Sequence, residues 1–540
     1  MTAKWTATRP VPLDYKGPED IAFDRMGEEW FERSPIDRFD HVAARHGDRI
    51  AVDDGNVQLT YDDVRRAAQA LAHSLNESTP AGAPIAAVFR YTALFPVALL
   101  ASIAAGRPIV PVDAAYPLPR QRMILDNAGA ASILRERGVP PEVDLPDLPQ
   151  VEADLAELLA SESDGWPAVA YDPQRMGGVT FTSGSTGTPK GYAWSFGGFV
   201  PTVAEMVNTH HLHPGDKIIA LGSLASAGLG DALFAMLSGA TLRVVEIMAA
   251  GIGGLLQIMG EERVTILSFV PAVLRTVLAV EGASEAFRHL RILDLYGDAT
   301  LPSDIAFFRS KLPPDCHIRL VLGSIECGTI FHWFVPRDFD EDDIVLPCGY
   351  VAANKEYAIL DPDGEALPPG ETGELVVRSR YMALGAWQDG RVTQGPFLPD
   401  PDDPETRIYP MGDFVRMRPD GLCEFVGRRD RQVKVRGFRA DLGEVEAAMR
   451  QHAAIADVAV VTVPIEGDRD IVAYCTLRAG NEAPRAADLR KVVMDATAEH
   501  MAPKRIHFID AIPRLPNYKP DLVTLADMAQ AADGRGPEGA

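Results

Sequence analysis

Hydrophobic residues follow two rhythms along this chain, short apolar runs and longer segments with helical spacing. Short runs occupy residues 85–89, 218–221, 241–245 and 264–267. The most apolar long stretch, residues 94–112, is interrupted by Gly106, Arg107 and Pro108. It therefore predicts a buried helix over 95–105, a turn and a strand over 108–112 rather than a membrane span. Strands that alternate with helices in this way are typical of α/β layers.

The pattern changes after about residue 347. Strand-like runs over 347–377 are separated by the turn sequences Asp361-Pro-Asp-Gly364 and Pro368-Pro-Gly370, which predict an antiparallel section. Residues 399–405 predict a loop, and the charged residues 428–431 predict a boundary. Beyond it we expect a small α+β unit with helices over 443–452 and 486–500 and strands over 458–463 and 471–477. The predicted organisation is an arm over 1–34, packed or partly mobile, a large body over 35–427, the boundary at 428–431, a small domain over 432–528 and a flexible tail over 529–540.

Composition narrows the functional classes. The 540 residues, 46% of them hydrophobic, suffice for two or more domains with sizeable cores. A net charge of −24, with no run of Lys or Arg, disfavours nucleic acid and anionic membranes as partners. The N-terminus has no apolar signal segment, and five cysteines without a CxxC pair predict reduced thiols, so we expect a cytoplasmic protein.

One segment carries clear chemistry. Thr182-Ser-Gly-Ser-Thr-Gly-Thr-Pro-Lys-Gly191 follows a strand-like run at 178–181. Its glycines allow tight turns in which several backbone N–H groups point at one anion. Its hydroxyl groups add hydrogen-bond donors, and Lys190 adds a positive charge. A flexible linker rarely follows a buried strand, and the sequence is not a Walker A motif. The phosphate-binding candidates are Thr182, Ser183, Gly184, Ser185, Thr186, Gly187 and Lys190.

This loop resembles the signature loop of the adenylate-forming superfamily, which includes acyl-CoA synthetases, luciferases and the adenylation domains of nonribosomal peptide synthesis. Later motifs in the family's order extend the resemblance over about residues 35–525. It implies a large α/β N-terminal domain, built from two α/β/α-layered subdomains and a β-barrel-like subdomain. It also implies a small mobile α+β C-terminal domain.

Two of the later motifs concern the nucleotide. Gly323-Ser-Ile-Glu-Cys-Gly328 resembles the family's Gly-x-Thr-Glu motif, which places Gly323 and Ser324 at the nucleotide and makes Glu326 the ligand of Mg²⁺. Tyr409-Pro-Met-Gly-Asp413 resembles Tyr-x-Thr-Gly-Asp, so Asp413 is expected to bind the ribose hydroxyls. Leu320, Leu322 and Met411 depart from the residues usual in these motifs.

Two motifs concern the C-terminal domain. Residues 427–446 resemble the family's hinge motif, which implies that Arg428 reaches the ribose or phosphate, Asp430 is the pivot, and Gly437 lies on the face used for thioester formation. Leu515-Pro-Asn-Tyr-Lys-Pro-Asp521 resembles Pro-x-Gly-Lys and makes Lys519 the catalytic lysine, with Tyr518 in place of glycine.

The acid-binding pocket departs from that of α-amino acid adenylation domains. In alignment, Ser226 occupies the place of the aspartate that binds the α-amino group, and an ammonium buried without a carboxylate is costly. We therefore expect a different acid, in a pocket widened at Gly230 and shortened by Tyr296. Asp294 or Asp298 could bind a distal amine or hydroxyl, unless Asp298 caps a turn, and His210, His211 and His213 are expected at a solvated helix end. The pocket candidates are Ser226, Ala227, Gly230, Ser268, Asp294, Tyr296, Val321, Thr329 and Ile330.

These motifs predict ATP-dependent activation of a carboxylic acid as acyl-AMP, with release of pyrophosphate and with Lys519, Glu326 and Lys190 as catalytic groups. The acyl group is then expected to pass to the phosphopantetheine thiol of a separate carrier protein, as in natural-product biosynthesis. Free CoA is the alternative acceptor. A second alternative is a catalytically weak nucleotide-binding protein, because Tyr518, Leu322 and Met411 depart from the motifs.

Overall fold

The structure is a computed structural model, and it describes most of the chain. The described residues are 18, 21–138, 143–162, 165–182, 190–221, 224–297, 300–339, 346–428, 431–435, 438–465, 468–496, 501–515 and 519–531.

Fourteen α-helices lie within the described residues, beside a short 3₁₀ helix at Glu28–Trp30 and a π-helical turn at Leu224–Gly228. They are α1 Pro35–His46, α2 Tyr61–Ser78, α3 Leu94–Ala104, α4 Leu118–Asn127, α5 Leu155–Ala160, α6 Phe196–His210, α7 Leu229–Ser238, α8 Ile247–Glu261, α9 Pro271–Leu278, α10 Ala283–Ala286, α11 Pro302–Lys311, α12 Leu442–Arg450, α13 Ala486–Ala496 and α14 Leu522–Ala531.

The strands of the first half of the chain are β1 Ile50–Asp53, β2 Gln58–Thr60, β3 Ile85–Phe89, β4 Ile109–Asp113, β5 Ser132–Glu136, β6 Gln150–Ala153, β7 Met176–Thr182, β8 Lys190–Ser195, β9 Lys217–Ala220, β10 Thr241–Val244 and β11 Ile266–Phe269. Those of the second half are β12 Ile292–Tyr296, β13 His317–Ser324, β14 Gly328–Phe334, β15 Pro347–Val351, β16 Glu356–Leu360, β17 Thr372–Ser379, β18 Gly385–Gln388, β19 Arg391–Thr393, β20 Leu398–Pro399, β21 Arg407–Met417, β22 Cys423–Arg428, β23 Gln432–Val435, β24 Phe438–Asp441, β25 Ile455–Ile465, β26 Asp468–Leu477 and β27 Arg505–Phe508.

Two large sheets organise the first 428 residues. The smaller has eight strands in the order β19-β18-β8-β7-β4-β3-β5-β6, and the larger has fourteen. In the larger sheet β1, β10, β9, β11, β12 and β13 are parallel neighbours. After β13 the pairing becomes antiparallel and continues through β14, β15, β22, β21, β17 and β16. The antiparallel section predicted for 347–377 is therefore confirmed.

The core is divided among the layers that these sheets create. One cluster joins the facing sides of both sheets, with α3, α6 and α7 between them. A second covers the other face of the larger sheet with α8, α9 and α11, and a third covers the outer face of the smaller sheet with α4. This layering confirms the predicted large α/β domain. Helix α3, predicted over 95–105, is buried along almost its whole length, as its uninterrupted apolar sequence required.

The residues after 431 form their own small sheets, β23-β24 and β25-β26-β27. Helices α12 and α13 pack on one side of the three-stranded sheet and α14 on the other, which confirms the predicted small α+β domain. The helix predicted over 486–500 is observed at Ala486–Ala496, and residues 497–500 lie outside the described ranges. Asp430 and Gly437 also lie outside them.

The described part of the N-terminal arm packs on the large domain. Met26, Trp30 and Phe31 are buried in the cluster between the sheets, and the Asp24 carboxylate pairs with the buried guanidinium of Arg38 at 3.1 Å. All five cysteines lie in described ranges, and each is a free thiol. Across the described ranges, no helix combines the length and apolar character that crossing a membrane requires.

Candidate functional site

The candidate site lies where the parallel strands of the larger sheet end. Strands β9, β11, β12 and β13 run in the same direction, so their carboxyl ends meet at one edge. In open α/β sheets, this edge is where ligands bind. Tyr296, the last residue of β12, is paired with Val321 of β13, which continues to Ser324, and the turn that carries Glu326 follows β13.

The turn between β13 and β14 presents Glu326. Gly323 faces Gly328 so closely that a Cβ on Gly323 would lie 2.6 Å from the Gly328 carbonyl oxygen, so a side chain there would push the two strands apart. The hydroxyls of Tyr192 and Tyr409 lie near the Glu326 carboxylate, which can accept a hydrogen bond from each. Burial and the charge of Glu326 raise the pKa of both tyrosines, so both stay protonated donors near neutral pH.

The predicted phosphate loop begins beside this turn. Thr182 and Lys190 are paired at the ends of β7 and β8, so the sequence between them closes a hairpin. Ser183, Gly184, Ser185, Thr186 and Gly187 lie outside the described residues. Lys190, Tyr192 and Trp194 occupy every second position of β8 and therefore lie on the same face of the strand. Because the Trp194 indole N–H donates to the Ile325 carbonyl at 3.1 Å and Tyr192 lies near Glu326, the base of the hairpin lies against the Glu326 turn.

Strand β21 connects this turn with the predicted ribose site. Tyr409 and Asp413 are four residues apart on this strand, with Gly412 at a φ of +72° and a register shift against β17 between them. Asp413 is 2% exposed and is paired across the sheet with Arg428, whose Nε lies 3.4 Å from its Oδ1. The strand that carries Tyr409 therefore also carries the predicted ribose-binding residue, Asp413.

The C-terminal domain places Lys519 at the same edge of the sheet. Its Cε would lie 3.7 Å from a Cβ on Gly297, the residue that follows β12 and has a φ of +82°. The domain also contacts the large domain through Asp457, whose Oδ1 lies 4.0 Å from Nη2 of Arg275 on α9. Tyr518, which precedes Lys519 in the sequence, and Asp298, which follows Gly297, lie outside the described residues.

The predicted acid pocket is only partly assembled as expected. Ser268, Asp294, Tyr296 and Val321 share the face of the larger sheet that packs against α6, with Tyr296 at the mouth and 37% exposed. Ile330 is fully buried in the core, and Thr329 lines a narrow cleft. Only the backbone of Ser226 and Ala227 is described, in the π-helical turn, and a Cβ on Gly230 would lie 3.6 Å from the Phe234 ring. Phe234 therefore limits the widening expected at Gly230.

The prediction that His210 lies at a solvated helix end is wrong. His210 is fully buried at the end of α6, and its Nε2 lies 2.9 and 3.0 Å from the two carboxylate oxygens of Asp294. Its spacing from the buried residues Val203 and Val207 puts it on the apolar face of α6. That spacing was visible in the sequence and could have indicated burial.

Asp294 belongs to a buried charged cluster that the sequence did not reveal. Its carboxylate also lies 3.3 Å from the Ser268 hydroxyl and 3.6 Å from the Arg319 guanidinium, which in turn binds Glu205 at 2.6 Å. Burial alone would raise the pKa of Asp294, but His210 and Arg319 hold it below its ordinary value. Burial and the charge of Asp294 raise the pKa of nearby Asp231 on α7 to about 7. The pocket floor therefore combines an ionised carboxylate with one that is partly protonated near neutral pH.

The residues at this edge fit the way Mg²⁺ binds in nucleotide sites. Within the described ranges, no group of three or more His, Cys, Asp or Glu side chains could enclose a metal ion. Mg²⁺ keeps several waters and needs only one or two carboxylates when phosphates complete its shell. The half-buried Glu326, next to the phosphate-loop hairpin, is suited to that mode.

Known protein families match both the large domain and the small C-terminal domain. The profile described as AMP-binding enzyme matches residues 39–387, and that of the AMP-binding enzyme C-terminal domain matches residues 444–519. Phosphinothricin tripeptide synthetase PhsC of Streptomyces viridochromogenes is 32% identical over 92% of this chain and 45% of its own length. Phenyloxazoline synthase MbtB of a Mycobacterium species is 30% identical over 99% of this chain and 46% of its own length. The chain thus spans less than half of these curated relatives.

Solved structures share the fold at lower identity. Klebsiella oxytoca NpsA, in complex with 3-hydroxyanthranilyl-AMSN, superposes with a TM-score of 0.79 at 20% identity, covering 92% of this chain and 99% of its own. The anthranilate CoA ligase AuaEII, in complex with anthranoyl-AMP, superposes with a TM-score of 0.79 at 19% identity, covering 93% and 98%.

Proposed function

Because this chain belongs to the AMP-binding enzyme family, and with it to the adenylate-forming ligases, we propose that it activates a carboxylic acid with ATP as an acyl-adenylate and releases pyrophosphate. The observation that carries this proposal is the position of Lys519. The C-terminal domain brings it to the end of β12, next to the strand whose turn presents Glu326. The ammonium of Lys519 and the carboxylate of Glu326 are thus available at one edge of the sheet.

The proposed reaction is an in-line displacement at the α-phosphorus of ATP. A substrate carboxylate oxygen forms the new bond to phosphorus, and the bond to pyrophosphate breaks. Such transfers need positioning and charge neutralisation more than covalent chemistry by the protein. Lys519 neutralises charge on the carboxylate and the α-phosphate, and Lys190 with the hairpin loop binds the outer phosphates. Asp413 accepts hydrogen bonds from the ribose hydroxyls, beside Arg428.

Glu326 is the residue that would hold Mg²⁺, with Tyr192 and Tyr409 fixing its carboxylate by hydrogen bonds. Mg²⁺ at this position supplies neutralisation of the charge that builds on the departing pyrophosphate. The tyrosines orient the carboxylate before the nucleotide arrives, so less ordering is needed on binding.

We propose further that the acid is not an ordinary α-amino acid and that it carries a distal hydrogen-bond donor. Ser226 stands where an α-amino group would need a carboxylate. Deeper in the pocket, Asp294 and Asp231 provide acceptor oxygens, although Asp294 is already bound by His210. A distal hydroxyl or amine that approaches Asp231 fits this arrangement, and the pocket mouth at Tyr296 suits a flat ring.

For the acceptor we propose the phosphopantetheine thiol of a separate carrier protein, reached after the C-terminal domain swings about Asp430 and presents the loop at Gly437. Two curated relatives, named as a tripeptide synthetase and a linear gramicidin synthase subunit, support this choice. Free CoA is the alternative. Incubation of the enzyme, acid and ATP with holo-carrier or with CoA separates the two, because the proposal expects AMP release to rise with the carrier and to stay near background with CoA.

The experiment that tests the proposed activation is ATP–pyrophosphate exchange with a panel of acids. The proposal expects the fastest exchange with a hydroxy- or amino-substituted acid that lacks an α-amino group. Best exchange with a common α-amino acid would contradict the substrate proposal. Nucleotide binding without exchange for any acid would instead support the catalytically weak nucleotide-binding protein.

A further inference from the structure

Lys355, immediately before β16, is a buried lysine that the proposed reaction does not use. It is 6% exposed, and its ammonium donates hydrogen bonds to the Ser379 hydroxyl at 3.3 Å and the Tyr381 carbonyl at 2.5 Å. Burial lowers the pKa of Lys355 to about 8. Removing an ammonium from water is costly, so its presence here calls for a role.

The ammonium fixes one end of a short chain segment, residues 379–384. Ser379 Oγ also accepts a hydrogen bond from the Tyr381 N–H at 3.0 Å and donates one to the Asn354 carbonyl at 2.7 Å. The Arg407 guanidinium binds the carbonyls of residues 380 and 382 at 2.9 and 3.2 Å. Three consecutive carbonyls, 380 to 382, therefore each accept a hydrogen bond from a cationic side chain.

The other end of the 379–384 segment binds the Glu326 turn. The Ala383 N–H donates to the Glu326 carbonyl at 2.8 Å, and the Leu384 N–H donates to the Ala193 carbonyl on β8 at 2.7 Å. Behind the turn lies a narrow cleft, which Cys327, Gly328 and Lys355 all line. Two backbone hydrogen bonds therefore tie the 379–384 segment to the Glu326 turn and to β8.

We propose that Lys355 is a positioning residue for Glu326: it fixes the 379–384 segment, and the segment fixes the turn that presents the metal-binding carboxylate. Lys355 itself contacts neither nucleotide nor metal. This inference rests on the proposed role of Glu326. Groups hydrogen-bonded directly to a metal ligand typically contribute about 10- to 100-fold in metal affinity. Lys355 acts one step further out, through Tyr381 and Ala383, so we expect the lower end of that range, which is measurable without catalysis.

The test is calorimetric titration of ATP, without any acid, in the presence and absence of Mg²⁺. For Lys355→Met we expect the Mg²⁺-dependent gain in ATP affinity to fall about tenfold, with the affinity in the absence of Mg²⁺ unchanged within about twofold. Ser379→Ala, which removes the shared hydroxyl, should act in the same direction. If thermal melting shows that Lys355→Met does not fold, the Mg²⁺-dependent gain of Ser379→Ala provides the test instead.

A matched control separates positioning from stability. Arg107, two residues before β4 of the smaller sheet, is 4% exposed and likewise binds carbonyl oxygens, those of Thr79 and Ala105. Arg107→Met should lower the melting temperature and keep the Mg²⁺-dependent gain. Loss of that gain in the control would show a general effect of destabilisation and overturn the inference.

Glu326→Gln distinguishes this inference from the proposed function beneath it. If Glu326→Gln loses the Mg²⁺-dependent gain while Lys355→Met and Ser379→Ala keep it, Lys355 does not position Glu326, and the proposed function stands. If Glu326→Gln keeps the gain, the metal-binding role of Glu326 is wrong, and the inference fails with it.

Discussion

Replacement of Arg319 by methionine should strongly destabilise the large domain. Arg319 is 1% exposed and neutralises the buried Asp294 carboxylate at 3.6 Å and the largely buried Glu205 carboxylate at 2.6 Å. Removing one partner of a buried ion pair costs about 3–5 kcal/mol, because the remaining charge loses its compensation. For a domain of about 390 residues, an unfolding entropy of about 2.1 cal/mol/K per residue converts this loss to a fall of about 4–6 °C in the melting temperature.

Scanning calorimetry measures this fall, with two further variants as controls. Arg122→Met removes an exposed pair with Asp126 at 3.0 Å, and such pairs contribute about 0–1 kcal/mol, so its melting temperature should change by about 1 °C or less. The double variant Arg319→Met/Glu205→Gln should recover part of the loss, because only Asp294 then remains and His210 still binds it. A melting temperature for Arg319→Met within about 1 °C of the unmodified protein would refute the idea of a compensated charge cluster.

Three further predictions concern the nucleotide site and the pocket. Asp413→Ala should weaken AMP binding about 10- to 100-fold in calorimetry, since hydrogen bonds to charged groups contribute about 1.5–3 kcal/mol; an affinity unchanged within twofold would contradict the ribose assignment. Tyr192→Phe and Tyr409→Phe should each slow ATP–pyrophosphate exchange about five- to tenfold at unchanged melting temperature, and normal rates would show that Glu326 needs neither hydroxyl. Because the folded-state pKa of Asp231, about 7, lies above the value of about 3.9 for an unfolded chain, Asp231 makes the fold less stable as pH rises from about 4 to 7. Asp231→Asn should therefore gain in melting temperature relative to the unmodified protein across that range, and a constant difference would show that Asp231 does not titrate there.

The sequence predicted best those features that depend on local pattern. Helix α3 and strand β4 follow from an apolar run interrupted by Gly106-Arg-Pro108, and strand β3 was predicted with its observed bounds. The strand predicted over 264–267 is observed at Ile266–Phe269, because pairing with β9 and β12 sets its ends. Such pairing is not recorded in the local sequence.

The partners of the buried charges were out of reach for the same physical reason. His210 meets Asp294 across 84 positions of sequence, and Arg319 meets Glu205 across 114. A charged residue on its own is usually exposed, and only the folded chain shows the partner that makes burial tolerable. Lys355 was missed likewise, since its acceptors at Ser379 and Tyr381 belong to a different strand and the segment after it.

The most direct test of the whole account is a single-turnover experiment that detects acyl-AMP by mass spectrometry, with the acid that gives the fastest pyrophosphate exchange. The account predicts stoichiometric acyl-AMP with the unmodified enzyme and a rate at least about a hundredfold lower with Lys519→Ala, since that ammonium meets the charge that develops in the transition state. An undiminished rate with Lys519→Ala, or the absence of acyl-AMP from the unmodified enzyme, would contradict it.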